Sequence, residues 1–189
     1  SSIAPPLSRA LRIELLCFAL VAVLPLVPYL TLLLLDGVPR YGIYADLALM
    51  EHEIRHVWSG ETLLGLGSRF RWHHPGPALF YVCAPFEALF RPSSTGMYVG
   101  TWVIAALSAI APVVATRIHA TRAHAIGVLL VYLAWFAAFG NLAVNPWVRT
   151  VVVLPFLSYV VLMAVFARGG TFALLPAAIL GTVVTHTHV

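Results

Sequence analysis

The sequence predicts an all-α polytopic membrane protein with about five transmembrane helices and juxtamembrane helices in its first outer loop. Three observations carry this. Sixty-one per cent of residues are hydrophobic and 10% are charged, against about 25% charged in ordinary soluble domains. The apolar residues fall in runs of about 20, the length that crosses a bilayer as a helix. Six of the seven acids (Asp36, Asp46, Glu51, Glu53, Glu61, Glu87) lie between residues 36 and 87, so the polar chemistry is gathered into one segment.

Each element follows in order. Residues 1–12, with Pro5, Pro6, Arg9 and Arg12, read as a cytoplasmic leader. Residues 13–35 form a first span, longer than a signal-peptide core of about 7–15 residues, with Pro25 and Pro28 as tolerated kinks. Residues 36–73 are a polar loop. Within it, 43–58 reads as an amphipathic helix, because Ile43, Leu47, Met50, Ile54 and Val57 recur at three- and four-residue steps. Asp46, Glu53 and His56 occupy its other faces, and such a helix lies on a membrane surface. Gly60, Gly65 and Gly67 end the pattern. Residues 75–90 are apolar but short and contain Pro75, Pro77, Pro85 and Glu87. A mid-bilayer carboxylate costs about 2.5–3.5 kcal/mol or more, so this piece is read as interfacial or re-entrant, and the outer loop spans 36–92. Further spans are predicted at 97–116, 123–140, 147–167 and 171–189.

This arrangement puts Arg9, Arg12, Arg117, Arg122 and Arg168 on the cytoplasmic side with Glu14, and the other six acids outside. It satisfies the positive-inside tendency with an inside N-terminus. The chain ends at Thr185-His186-Thr187-His188-Val189, straight out of an apolar run. That end is expected of a fragment of a longer protein or of a helix stopping at the outer surface. The whole of 1–189 reads as one transmembrane domain.

Composition also excludes some functions. The arginines are scattered at segment ends, so the net charge of +4 is no nucleic-acid signal. The chain has no G-x-x-x-x-G-K-[ST] and no G-x-G-x-x-G, hence no recognisable soluble nucleotide site. Cys17 and Cys83 sit in apolar segments and read as small hydrophobic filler, not a disulfide.

Four places carry candidate chemistry. His52-Glu53-Ile54-Arg55-His56 matches H-E-x-x-H, in which two histidines on one helix face bind zinc and the glutamate is the base. Arg55 would put a cation close to that metal, and only His73 or His74 offers a third ligand, so a polar surface face is the favoured reading. Asp46 heads the amphipathic helix, where the helix N-terminus stabilises an anion available as a general base. Arg69, Arg71, Trp72, His73 and His74 precede Pro75-Gly76-Pro77; arginine and histidine donors opening a helix make a phosphate site, and headgroup contact is the alternative. Asn145, Trp147, His186 and His188 cluster at the outer ends of later spans, either as membrane-belt residues or as substrate contacts.

Taken together, Y-A-D-L-A-L-M-E followed by S-R-F-R-W-H-H-P-G-P-A-L-F-Y resembles the N-terminal half of the GT-C fold membrane glycosyltransferases. That group includes protein O-mannosyltransferases, aminoarabinose transferases and actinobacterial arabinofuranosyltransferases. The resemblance covers about residues 13–150. It implies a transferase in the bacterial inner (plasma) membrane, taking sugar from a polyprenyl-phosphate donor on the outer face. Asp46 would be the catalytic base. Arg69, Arg71, His73 and His74 would hold the donor phosphate, and Asn145, Trp147, His186 and His188 would line the substrate site. No cofactor is expected beyond, at most, a divalent cation. Two features depart from the pattern: the family has about 9 to 13 spans, and residues 140–149 lack its second acidic residue. A non-catalytic subunit with membrane partner chains is therefore a second expectation, and an intramembrane zinc protease a third.

Overall fold

The computed structural model describes residues 8–38, 45–67 and 71–188, with the backbone alone at 188. The described residues are helical apart from loops and one antiparallel bridge between Gly67 and His73. Helices α1 (Arg9–Val23) and α2 (Val27–Asp36) are joined by a 3-10 turn at Leu24–Leu26. The two prolines are the cause: neither Pro25 nor Pro28 has an N–H to give to the helical ladder. Trp102 Nε1 donates to Leu26 O at this break, at 2.9 Å. The helix begins at Arg9, inside the stretch expected as a leader, because Ser8 caps it by accepting from Leu11 N–H at 3.2 Å.

Helix α3 is Asp46–His56. It passes into a 3-10 turn that Gly60 ends at φ 79°, a conformation glycine adopts without a Cβ clash. Residues 39–44, including the expected first turn around Ile43, lie outside the described residues. Helix α4 (Ala78–Phe90) follows, then α5 (Thr95–His119), α6 (Arg122–Ala143), the short α7 (Val148–Val151), α8 (Val153–Ala167) and α9 (Leu174–His188).

Four of these stretches are long and apolar enough to cross a membrane: Arg9–Asp36, Thr95–His119, Arg122–Ala143 and Val148–Ala167. They match four of the five expected spans. The fifth is helical over its described residues. Thr171–Thr187 measures about 25 Å at 1.5 Å per residue, against a hydrocarbon core of about 30 Å. Helix α4, at 13 residues, is about 20 Å long, too short to cross.

Close packing folds α4 back along the first half of α5. A Cβ on Gly96 would overlap the backbone of Glu87, and one on Gly100 would come within 2.7 Å of Cys83 Sγ. The two glycines, four residues apart, let the helix backbones touch, as small-residue pairs do in membrane helices. Cys83 is buried and Cys17 is exposed on α1, both as free thiols.

The core has three apolar clusters. One joins Met50 and Ile54 of α3 and Val57 of the turn after it to Phe80 and Cys83 of α4, Met97 of α5, Val151 of α7 and Val183 of α9. The second packs Ala22 and Leu26 against Ala109 and Val113 of α5 and Tyr132 and Phe136 of α6. The third joins Leu162 of α8 to Ala177 and Leu180 of α9. Through the middle runs a polar knot: Tyr132 Oη lies 2.7 Å from Ser158 Oγ, and Ser158 Oγ lies 2.6 Å from Ser108 O. This ties α6, α8 and α5 in one register, the role hydrogen bonds take where helix surfaces are otherwise apolar.

Two ends are thereby defined. At one, Glu14 meets Arg117 at 2.6 Å and Arg122 at 3.1 Å, and His119 Nε2 meets Arg168 O at 2.7 Å. The opposite end carries α3, the loop after it, and the Asn145–Trp147 turn.

Candidate functional site

Asp46 is the first residue of α3 and is exposed. Its Oδ2 accepts a hydrogen bond from Trp147 Nε1 at 3.2 Å, across 101 residues of chain. The Trp147 ring in turn carries the Arg149 guanidinium over its face, 5.0 Å from the centroid. A local turn aims this tryptophan. Asn145 Oδ1 accepts from Trp147 N–H at 2.9 Å, and Thr150 Oγ1 donates to Trp147 O at 2.9 Å. Carboxylate, indole and guanidinium thus form one array at the rim, the kind of set that can accept a proton and hold a developing anion.

The histidine turn is built separately. Gly65 N–H donates to His74 O at 2.9 Å and His74 N–H to Leu66 O at 3.1 Å, while His73 Nδ1 lies 3.2 Å from Gly65 O. His74 is buried, with its ring edge-on to Trp72 at 5.0 Å. Gly76 N–H donates to His186 O at 3.4 Å. A Cβ on Gly76 would overlap the His186 ring, so only glycine lets the end of α9 close on this turn. Arg71 is exposed, at φ 66°. Arg69 and the His188 side chain lie outside the described residues.

The expected convergence of Asp46 with Arg69–His74 takes a different form. Asp46 pairs with Trp147, and the histidine turn pairs with His186. The two groups flank one apolar cluster, in which Leu66 and Leu79 beside the histidine turn meet Val148 and Val151 beyond Trp147. Trp147 was expected at the site; its bond to Asp46 was not. Adjacency in space across 101 residues leaves no local sequence signal.

The H-E-x-x-H residues have other partners. His56 Nδ1 is 2.7 Å from His52 O, and the two rings lie 4.2 Å apart. Glu53 Oε2 accepts from Thr62 Oγ1 at 3.3 Å. Arg55 pairs with Glu51 and with Glu87, the latter at 2.8 Å. Among the described residues no group of three histidine, cysteine or acidic side chains is placed to hold a metal ion. His56→Ala is therefore expected to leave bound zinc unchanged by elemental analysis. One zinc per chain that disappears in this variant would reinstate the metal motif.

The Glu51–Arg55–Glu87 network went unread in the sequence. Glu87, 1% exposed, accepts from Arg55 Nε. Ser94 Oγ donates to Glu51 Oε2 at 2.8 Å, Arg55 Nη2 to Pro92 O at 3.0 Å, and Arg91 Nη2 to Arg55 O at 3.1 Å. The available signal was Glu87 itself, since a carboxylate inside an apolar helix needs a cation.

No protein-family model matches the chain, and neither the curated proteins nor the solved structures give a match.

Proposed function

We propose that this chain is a polytopic membrane protein of GT-C type that transfers sugar from a polyprenyl-phosphate donor. The observation that carries the reading is the rim array of Asp46, Trp147 and Arg149. In it, Asp46 takes the proton of the acceptor hydroxyl. Arg71, His73 and His74, with Arg69, hold the donor phosphate and stabilise charge as it leaves. Arg149 adds a cation close to the base, and Trp147 fixes the carboxylate. His186 supports the histidine turn from behind. The support is the placement of these groups at one end of a bundle whose helices are long and apolar enough to cross a membrane.

The test is release of free polyprenyl phosphate by the purified native protein, from polyprenyl-phosphate pentose and hexose donors, with cell-envelope extract as acceptor. Release above a protein-free control is expected from one donor. No release from either would sink the reading.

A non-catalytic membrane subunit is the second reading. Asn145 favours it: it stands in the segment where the resemblance wants an acid, and its side-chain oxygen is engaged by the Trp147 N–H. A stoichiometric partner chain copurifying with an inactive protein would support it.

Membrane placement has its own check. Ser94 and Ala120 bracket α5, and Asn145 follows α6. With Cys17 and Cys83 replaced by serine, single cysteines at Ser94 and Asn145 are expected to label from outside the cell, and one at Ala120 only after permeabilisation. Outside labelling at Ala120 would overturn the re-entrant reading of residues 75–90.

A further inference from the structure

We infer that the arginine-rich end of the bundle carries a binding groove for an anionic phospholipid, on the outer face of α6. The groove is a shallow, open depression of about 490 Å³ along the exposed side of α6, lined by Ala123, His124, Gly127, Val128 and Val131. Gly127 is its floor: a Cβ there would meet nothing within 4 Å. From residue 123 to 131 the groove runs about 12 Å along the helix, close to the roughly 15 Å depth of one leaflet's hydrocarbon. That length and its apolar lining suit an acyl chain lying along α6.

Charge at its mouth selects the headgroup. Glu14 draws Arg117 and Arg122 together, and His119 fixes the turn at Arg168. Arg9 and Arg12 lie within two turns of Glu14 on α1. Five arginines (Arg9, Arg12, Arg117, Arg122, Arg168) against one acid, Glu14, give this end a charge of +4 (five minus one). Arg122, whose side chain is 73% exposed, immediately precedes the groove. His124 lines it, held at its other edge by Thr121 Oγ1, 2.6 Å from its Nδ1. A phosphodiester at that level meets arginine, while the chain below it meets Gly127 and Val131. A zwitterionic lipid has the same chains but adds a cation against this field. The groove is at the opposite end from Asp46, so the inference stands apart from the proposed transfer reaction.

The test uses the intact protein in neutral detergent and native mass spectrometry, with dioleoyl phosphatidylglycerol and dioleoyl phosphatidylcholine as probes. Phosphatidylglycerol adducts are expected to form at least about fivefold more readily, the effect of roughly one arginine near a surface phosphate. Arg122→Gln should remove most of that preference. A Cβ at Gly127 meets nothing within 4 Å, so Gly127→Leu occupies the groove and should lower retention of both lipids with an unchanged melting temperature. Equal retention of the two lipids by the native protein would overturn the inference. So would a Gly127→Leu variant that holds phosphatidylglycerol as before. Displacement of the lipid by inorganic phosphate alone would show an ion site without the groove. A Gly127→Leu variant that changes oligomeric mass and leaves lipid retention intact would assign the groove to a second copy of the chain.

Discussion

Replacing Asp46 with asparagine is expected to lower polyprenyl-phosphate release by about 10²–10⁴-fold, the usual contribution of a general base. Asparagine is the informative choice because it keeps the geometry. Its side-chain oxygen still accepts from the Trp147 indole, which now sits 3.2 Å from Asp46 Oδ2, so the tie between α3 and the Asn145–Trp147 turn survives. What disappears is the capacity to take a proton. Expression and melting temperature should therefore be unchanged. Trp147→Phe separates the two contributions. It retains a ring beneath Arg149 but removes the N–H, so Asp46 loses its orientation and keeps its charge. A smaller loss, about tenfold, is expected from a misdirected base that is still chemically intact. Full activity in Asp46→Asn would remove the catalytic assignment and leave the membrane-subunit reading in front.

How far the sequence disclosed this arrangement depends on the range of each interaction. The helices were legible because their signals are local. Apolar runs gave α5, α6 and the α7–α8 stretch to within a few residues, and the three- and four-residue spacing of Met50, Ile54 and Val57 marked the buried face of α3 and of the turn after it. Glu87 and the prolines argued for a short piece at 75–90, and α4 is 13 residues long. The last helical stretch begins at Thr171, where the apolar run put it, although composition alone does not show that its first residues, Thr171–Ala173, are a 3-10 turn. The candidate site was half legible. Asp46 stands where the pattern put it, and His73 and His74 form the expected turn before α4. Their partners were not readable: Trp147 reaches Asp46, and His186 reaches Gly76, only through tertiary packing. Gly96 and Gly100 belong to the same class. Their meaning is the backbone of α4 against them, which no property of α5 alone reveals.

Removing the Arg55 side chain is expected to destabilise the protein by about 2–4 kcal/mol. Breaking a buried ion pair from one side typically costs about 3–5 kcal/mol; the figure is reduced because the Arg55 side chain is 33% exposed. The cost arises at Glu87, which is 1% exposed and loses its guanidinium partner, so that a carboxylate is left inside the α3–α4–α5 packing. Glu51 suffers less, since Ser94 Oγ still donates to it at 2.8 Å. The network closes α3 onto the turn at Arg91–Ser94, so Arg55→Ala should also loosen α3, visible as faster amide exchange over residues 46–56. The double variant Arg55→Ala/Glu87→Gln distinguishes a charge effect from lost packing. Glutamine is nearly isosteric with glutamate and carries no charge, so it relieves the stranded carboxylate and leaves the helix contacts as they are. Most of the stability lost in Arg55→Ala should return, read as recovery of the thermal midpoint in detergent. If the double variant is as unstable as Arg55→Ala, the loss comes from the arginine's hydrogen bond to Pro92 O and its packing. The ion pair would then not be what holds α3 in place.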